Sequence, residues 1–182
     1  MIEQQLDIFG NVKIENIKTE GIKYAGSKLK IIPYILEIIS ELEDVENILD
    51  GFSGTTRVSQ AFAKIGYNTT ASDISVWSEV FGTCYLKSNG SKKYYQELID
   101  HLNSMKGYDG WFTENYGGEE YQIKRPFQAK NTRKLDAIRD EIDRLNLKWE
   151  DKCVLLTSLI YALDSVDSTL GHYVAYLSEW SP

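Results

Sequence analysis

Apolar residues recur at helical spacing near the start of the chain. Between Ser27 and Leu42 they fall at the i, i+3, i+4 and i+7 positions of one face, which predicts an amphipathic helix. Pro33 does not fit the middle of a helix, so we expect the helix to start near Ile32 with proline in its first turn. The residues predicted to form its single buried face are Ile31, Ile32, Tyr34, Ile35, Ile38, Ile39 and Leu42.

Short β-type runs flank a second amphipathic segment. The run 47–52 (NILDGF) predicts a buried strand that enters a tight glycine turn. Thr55 or Thr56 can cap a helix that follows, and 67–72 (YNTTAS) predicts a second strand, which ends at Asp73. Strand, turn, helix and strand in under 30 residues make a βαβ unit, which implies a parallel sheet.

The second half of the chain predicts helices separated by aromatic loops. Helices are expected at 94–105 and at 152–166, where apolar residues nearly all round predict burial. Between them, Asn131 is predicted to cap a helix with one apolar stripe, formed by Leu135, Ile138, Ile142 and Leu145. The segment 107–118 (GYDGWFTENYGG) is interpreted as an aromatic turn region. Four acidic residues of the middle helix are expected to form a solvated face: Asp136, Asp140, Glu141 and Asp143.

Composition and charge narrow the class of protein. The 182 residues carry 20 basic and 27 acidic side chains, and the net charge of −7 excludes nucleic-acid binding by bulk positive charge alone. The negative net charge does not exclude a local basic patch. With 2 cysteines and 2 histidines, we expect neither a zinc site nor a disulfide framework. The N-terminus lacks the pattern of a signal peptide and no apolar run suits a bilayer span, so we expect a cytoplasmic protein.

The glycine turn and the end of the second strand carry the first candidate chemistry. In Asp50–Thr56 (DGFSGTT), glycine lets backbone N–H groups approach a ligand without an intervening Cβ. Asp73 follows 23 residues after Asp50, where a carboxylate of a βαβ nucleotide fold typically accepts hydrogen bonds from ribose hydroxyls. The spacing alone is equally compatible with an ordinary tight turn and a surface aspartate.

Five segments, in one order, resemble a known enzyme class. They are KYAGSK (23–28), DGFSGTTRVSQAF (50–62), SDIS (72–75), NTRKLDAIRDEI (131–142) and GHYVAYL (171–177). Together they are similar to the D12 class of S-adenosylmethionine-dependent DNA adenine-N6 methyltransferases, which serve in restriction–modification. The resemblance implies an α/β, Rossmann-like methyltransferase fold that takes S-adenosylmethionine as cofactor and double-stranded DNA as partner.

The resemblance also implies roles for ten residues around the cofactor. They are Lys23, Tyr24, Ala25 and Gly26 at its methionine end, Asp50 facing its amino group, Phe52, Ser53 and Gly54 in the loop beneath it, Asp73 at the ribose and Ile74 on the adenine ring. Carboxylates and loop amides suit a sulfonium cation with a zwitterionic tail. Thr56 stands where the common pattern has a second loop glycine, and its Cβ is expected to reduce affinity.

The catalytic motif of this class is not found. The motif, D/N/S-P-P-Y/F/W, accepts hydrogen bonds from the target amine and stacks on the flipped base, whereas Pro33, Pro126 and Pro182 are nowhere adjacent. We therefore assign no catalytic residue and expect an incomplete parallel sheet with an exposed edge. The chain is expected to be inactive alone and to need a second polypeptide, or a missing C-terminal half, that carries the motif.

A basic and aromatic segment is the candidate DNA contact. Tyr121–Lys134 contains five cations and no acid, and the corresponding segment of related enzymes reads the target sequence. A solvated loop before a helix is the alternative interpretation. The cations are Lys124, Arg125, Lys130, Arg133 and Lys134. Nearby aromatic residues could form a base-stacking surface or pack on the core, and these are Trp111, Phe112 and Tyr116.

The hypothesis that results has two parts. Residues 1–80 would form an N-terminal helix and a cofactor-binding βαβ unit, and residues 81–182 a helical, aromatic-loop region for target recognition. Together they would be the cofactor-binding and DNA-contacting part of a DNA adenine-N6 methyltransferase. The alternative is a non-catalytic, methyltransferase-like DNA-binding or regulatory subunit. A nicotinamide-dependent oxidoreductase is disfavoured because the loop lacks G-x-G-x-x-G.

Overall fold

The computed structural model describes residues 17–22, 26–120, 125–171 and 175–181. Across them the chain is mixed α/β, with seven α-helices and two short parallel sheets. It divides into two compact units between Leu86 and Lys87.

The first unit contains the predicted βαβ arrangement. Its elements are a 3-10 turn (Leu29–Ile31), α1 (Ile32–Ser40), β1 (Asn47–Asp50), α2 (Arg57–Lys64), β2 (Asn68–Ala71) and α3 (Val76–Leu86). The strands β1 and β2 pair in parallel, with Asn47 opposite Asn68 and Asp50 opposite Ala71. The βαβ prediction is confirmed, and so is the start of α1 at Ile32 with proline in its first turn.

One face of the first unit is packed and another is open. Ile32 and Leu36 of α1 form a core cluster with Ala61 and Phe62 of α2. The expectation of a single buried face on α1 is wrong for four of its seven residues, because α2 covers only one side of the helix. Those left exposed are Ile31, Tyr34, Ile38 and Leu42.

The second unit is mainly helical. Its elements are α4 (Lys92–Ser104), α5 (Trp111–Tyr116), β3 (Gly117–Gly118), β4 (Phe127–Gln128), α6 (Ala129–Arg144) and α7 (Trp149–Val166). The two-residue strands β3 and β4 pair in parallel. Leu102, Ile142 and Leu155, from α4, α6 and α7, form its core cluster, so the predicted apolar stripe of α6 is confirmed as a buried face.

Three local predictions for the second unit are wrong. The aromatic turn region contains a helix, α5, because Asp136 of α6 caps its N-terminus from outside the segment. Helix α6 begins at Ala129, so Asn131 lies within its first turn and is not its cap. Helix α7 is not buried all round, since its only fully buried residues are Cys153, Leu155 and Thr157.

Two features are absent from the described residues. No helix among them has the length and apolar character that a bilayer span requires. The same part of the chain contains no cluster of three or more histidine, cysteine or carboxylate side chains that could hold a metal ion.

Candidate cofactor and DNA sites

A cleft of about 330 Å³ lies at the carboxyl end of β1 in the first unit. This volume is within the range of small-ligand pockets, and the carboxyl ends of parallel strands are where such ligands bind. Three separate stretches of sequence meet there, namely 26–28, the loop 52–58 and the end of β2. The lining residues are Gly26, Ser27, Lys28, Phe52, Ser53, Gly54, Thr55, Arg57, Val58 and Asp73.

Main-chain hydrogen bonds set the shape of the loop beneath the cleft. The amide of Ser72 donates to the carbonyl of Asp50 (2.8 Å), and the amide of Ser53 donates to the carbonyl of Ser72 (3.1 Å). The parallel pairing therefore continues past the strands and holds the loop start against the end of β2. Gly54 then turns in the left-handed region (φ 49°), where a glycine carries no Cβ penalty.

Asp73 ties the two sides of the cleft together. Its Oδ2 accepts a hydrogen bond from the amide of Gly54 (2.9 Å), and its Oδ1 accepts one from the amide of Ser75 (3.0 Å). The Ser75 and Gly54 amides hold the pKa of this exposed carboxyl below its ordinary value. Each carboxylate oxygen keeps a lone pair, so an ionised Asp73 can accept further hydrogen bonds from a ligand.

The structure brings together five of the ten predicted cofactor residues. Gly26, Phe52, Ser53, Gly54 and Asp73 all line the cleft. The other five are placed differently or not described. Asp50 accepts a hydrogen bond from Ser59 on α2, Ile74 is fully exposed beside the cleft lining, and Lys23, Tyr24 and Ala25 lie outside the described residues.

Two cations of the cleft were not among the predicted site residues. Lys28 donates from Nζ to the carbonyl of Phe52 (3.3 Å), and Arg57 lines the cleft from the first turn of α2. Lys28 is the last residue of the K-x-A-G-x-K segment, which is a signal that could have identified it. With Asp73 opposite, the lining offers both signs of charge rather than carboxylates and amides alone.

Thr56 has an unusual backbone and lies away from the cleft lining. Its φ of 58° and ψ of 15° are left-handed, which is rare for a β-branched residue. The side chain is fully buried and accepts a hydrogen bond at Oγ1 from Nε2 of Gln60 (3.3 Å). Thr56 precedes α2 as predicted, but its hydroxyl makes no capping hydrogen bond to the helix.

Most of the predicted DNA-contacting cations have partners within the second unit. Arg133 bridges Asp109 and Glu119, and these carboxylates raise the pKa of its guanidinium. Lys134 donates to main-chain carbonyls at the C-terminus of α4. Arg125 donates from one guanidinium nitrogen to the carbonyl of residue 115 (2.7 Å). Lys124 lies outside the described residues.

Lys130 differs from the cations around it. It is exposed in the first turn of α6, and it forms neither a hydrogen bond nor an ion pair with the described part of the chain. Its ammonium group is therefore available to a phosphate without the loss of a contact to the described residues.

The aromatic residues of α5 are partly packed and partly exposed. Phe112 lies 4.9 Å from Tyr116 and 5.7 Å from the buried Phe127, measured between ring centroids. Trp111 contacts both neighbours but is 66% exposed. Two of the three rings thus pack on the core, and Trp111 presents a face to solvent.

The expectation of a solvated acidic face on α6 is wrong for Asp136, which is half-buried, and for Glu141, which is buried, whereas Asp140 and Asp143 are exposed. Asp136 accepts hydrogen bonds from the amides of Gly110, Phe112 and Thr113, and so supplies the cap that α5 lacks. The other three carboxylates are also paired, and the reason is that α4, α7 and the loop before α5 pack against this side of α6. The pairs are Asp140 with Tyr108, Glu141 with His101 and Arg144, and Asp143 with Arg139 and Lys152.

Comparison with known protein families identifies the family to which this chain belongs. Residues 24–182 match the family described as D12 class N6 adenine-specific DNA methyltransferase. The chain belongs to this D12 methyltransferase family. The resemblance found in its five sequence segments is thereby confirmed.

Several modification enzymes are similar to this D12 chain. Modification methylase StsI of Streptococcus sanguinis is 30% identical over 87% of the chain, which corresponds to 26% of that relative. The type II methyltransferase M.CviAII of Paramecium bursaria Chlorella virus 1 is 28% identical over 87% of the chain and 50% of the relative. M.NlaIII of Neisseria lactamica is 29% identical, with 86% and 49% covered.

The D12 chain thus spans about half or less of the length of these relatives. No solved structure matches it.

Proposed function

We propose that the cleft of the first unit binds S-adenosylmethionine and that the chain is the cofactor-binding and DNA-contacting part of a DNA adenine-N6 methyltransferase. The observation that carries this proposal is the meeting of Gly26, the loop 52–54 and Asp73 at the carboxyl end of a parallel βαβ unit. The same unit is proposed to be the first part of a Rossmann-like sheet. Residues 1–80 would serve the cofactor and residues 81–182 the DNA target.

The lining chemistry fits this cofactor. Asp73 is held ionised by two amides and retains lone pairs for the two ribose hydroxyls. The cations Lys28 and Arg57 suit the carboxylate of the methionine tail, while the open space beside Gly26 leaves room for its chain. Ile74 is fully exposed and would be covered by the adenine ring.

The residues of this chain would act by binding and orienting. Bound S-adenosylmethionine would supply an electrophilic methyl group on its sulfonium sulfur. Asp73 would fix the ribose, and the loop at Ser53 and Gly54 would fix the position of the methionine end. Holding the donor in one orientation lowers the entropic part of the barrier, and neither a metal ion nor a covalent enzyme intermediate is needed.

We propose double-stranded DNA as the partner of the second unit. Lys130 is the strongest candidate for a phosphate contact because it has no internal partner in the described part of the chain. Arg125 is exposed and keeps donors beyond the one given to residue 115. Arg133 and Lys134 are proposed to shape the unit rather than to bind phosphate, because their charges are already used inside it.

Transfer of the methyl group is proposed to need a second polypeptide segment. These 182 residues contain no adjacent prolines and hence no D/N/S-P-P-Y/F/W motif. Leu49 is 68% exposed, and it shares the open face of the β1–β2 sheet with Thr70. Because parallel sheets are normally covered on both faces, this surface supports association with the segment that carries the motif.

The missing motif also supports the alternative of a non-catalytic DNA-binding or regulatory subunit. A methyl-transfer assay with labelled S-adenosylmethionine and duplex DNA separates the two. The main proposal predicts no transfer by the chain alone and transfer after mixing with a D12 polypeptide segment that carries the proline pair. Under the alternative, the mixture stays inactive while the chain still binds DNA.

A further inference from the structure

The N-terminal part of the described chain is attached to α2 through its main chain. The docked segment, Ile17–Ile22, runs along one side of α2, and Ile17 packs against the core cluster. Side chains from successive turns of the helix form its hydrogen bonds. These side chains are Arg57, Gln60 and Lys64.

Gln60 makes the most specific of these contacts. Its Oε1 accepts a hydrogen bond from the amide of Glu20 (2.8 Å), while its Nε2 donates to the carbonyl of the same residue (3.0 Å). One amide side chain thus satisfies both main-chain groups of Glu20, as a neighbouring strand would. Gln60 is itself 3% exposed, so losing the bond from the Glu20 amide would leave the buried Oε1 without that partner.

Arg57 extends the attachment toward the cleft. Its guanidinium donates to the carbonyls of Thr19 and Gly21, 2.5 Å in each case. Gly21 has no side chain where the guanidinium lies, and a Cβ there would come within 2.7 Å of Nε of Arg57. The same arginine lines the cleft, so it contacts the docked segment and borders the proposed cofactor site at once.

The docked segment closely precedes one wall of the cleft in the sequence. Gly26, Ser27 and Lys28 form that wall, four to six residues after the last residue of the segment. Across the cleft, the wall is tied to the loop by one hydrogen bond, from Lys28 to the carbonyl of Phe52 at 3.3 Å. A fixed starting point at residues 19–21 therefore restricts where the wall can lie.

We propose that Gln60 and Arg57 are positioning residues, which hold residues 26–28 against the cleft by binding the main chain of residues 19–21. Gln60 does not line the cleft itself, and it contacts the segment at Glu20 and the start of α2 at Thr56. The attachment uses carbonyls and amides, so it is independent of the side chains of residues 18–20. The inference rests on the proposed function in one respect, namely that holding the wall in place raises the affinity for S-adenosylmethionine.

The first test does not depend on the cofactor. The rate of tryptic cleavage after Lys28 is measured in the cofactor-free protein for wild type, Gln60→Leu and the matched control Gln96→Leu on α4. Leucine has about the size of glutamine but makes neither of the two hydrogen bonds to Glu20 nor the one to Thr56. We expect cleavage of Gln60→Leu to be at least about tenfold faster than that of wild type, as the loss of the two hydrogen bonds to Glu20 allows, and Gln96→Leu to match wild type. Equal rates in all three proteins overturn the proposal.

The second test uses calorimetric titration of S-adenosylmethionine and the variant Gln60→Glu. A protonated glutamic acid can still donate to the carbonyl of Glu20, whereas the ionised carboxylate can only accept. The affinity of this variant, divided by that of wild type at each pH, should therefore fall as the pH rises through the pKa of the new carboxyl. A merely structural loss would lower the ratio equally at every pH and would overturn the positioning role.

The two tests separate this inference from the proposed function. If wild type binds no S-adenosylmethionine, the proposed function fails, while the cleavage rates still decide whether Gln60 holds the wall. If wild type binds the cofactor and Gln60→Leu binds it equally well, the inference is overturned and the proposed function stands.

Discussion

At the scale of single residues, Thr56 combines burial with a backbone conformation that threonine disfavours. Left-handed φ and ψ cost a non-glycine residue about 1–2 kcal/mol, yet the position begins α2 directly behind the cleft loop. Its methyl group faces Gly82 of α3, and its hydroxyl bonds Gln60. The side chain is thus held by packing inside the unit and not at the cleft lining, and the strain is retained in the loop.

The strain predicts an unusual response to glycine. We expect both Thr56→Gly and Thr132→Gly to lower the free energy of unfolding. The loss should be about 1–2 kcal/mol smaller for Thr56→Gly, because only this substitution removes backbone strain. Thr132 is the matched control, since it is equally buried but lies in the regular helix α6. Urea denaturation of both variants measures the difference. Equal losses would show that Thr56 carries no strain.

The basic segment predicts different outcomes for two neighbouring cations. Lys130→Ala should reduce the slope of log K against log salt for duplex DNA by about 0.9, the value for one phosphate contact. Arg133→Ala should instead lower thermal stability, because it breaks the bridges to Asp109 and Glu119. Lys93→Ala, whose partner is Glu97, is the control for a general loss of charge. An unchanged slope for Lys130→Ala would remove that residue from the DNA contact.

At the scale of elements, α6 organises the second unit through its carboxylates. Asp136 caps α5, Asp143 binds Lys152 of α7, and Glu141 binds His101 of α4. The hydrogen bond from His101 is the main reason that the pKa of Glu141 lies below its ordinary value of 4.5, with Arg144 adding to the effect. Three helices are therefore attached to α6 through its carboxylate side chains.

These contacts predict how stability depends on pH. A carboxyl group whose pKa is lowered by folding stabilises the folded state. This stabilisation is fully present above the pKa of the unfolded state, near 4.5, and it is lost as the pH falls through the pKa of the folded state. Glu141→Gln should therefore unfold at a lower temperature than wild type at pH 7, and the gap should narrow as the pH falls below 4.5 toward the lowered pKa of Glu141. Thermal unfolding from pH 3 to 7 measures it, with the exposed Glu97→Gln as control. A gap that is constant with pH would contradict the assignment.

Local patterns were sufficient for some elements and insufficient for others. The order β1–α2–β2 and the cleft residues Gly54 and Asp73 follow from signals within a few residues of each position. Helix α5 could not be predicted in this way, because its cap, Asp136, comes from another element. The same limit applies to Arg133, whose carboxylate partners lie 24 and 14 residues earlier.

At the scale of the whole molecule, exposed apolar surface in the first unit indicates a missing cover. The open sheet face with Leu49 and the outer side of α1 with Ile38 are both solvent-exposed among the described residues. An apolar stripe in a sequence predicts that these residues are buried, but it does not identify the chain that covers them. We propose the segment with the catalytic motif as the cover of the sheet face, because parallel sheets are normally covered on both faces.

This cover predicts a change that hydrogen exchange can detect. Mixing with a D12 segment that carries the proline pair should slow amide exchange in β1 and β2, since their free edges and open face become buried. Exchange in α6 should change less, which provides an internal control. Unchanged exchange in both strands, in a mixture shown to transfer methyl groups, would place the partner elsewhere.

A calorimetric titration of S-adenosylmethionine into the purified chain and its Asp73→Ala variant tests the proposed cofactor site most directly. We expect micromolar binding by wild type and by the matched control Asp164→Ala, and at least about tenfold weaker binding by Asp73→Ala, which lacks the carboxylate proposed to hold the ribose. Circular dichroism confirms that each protein is folded. Absence of binding by the folded wild type, or equal binding by Asp73→Ala, would contradict the proposed site.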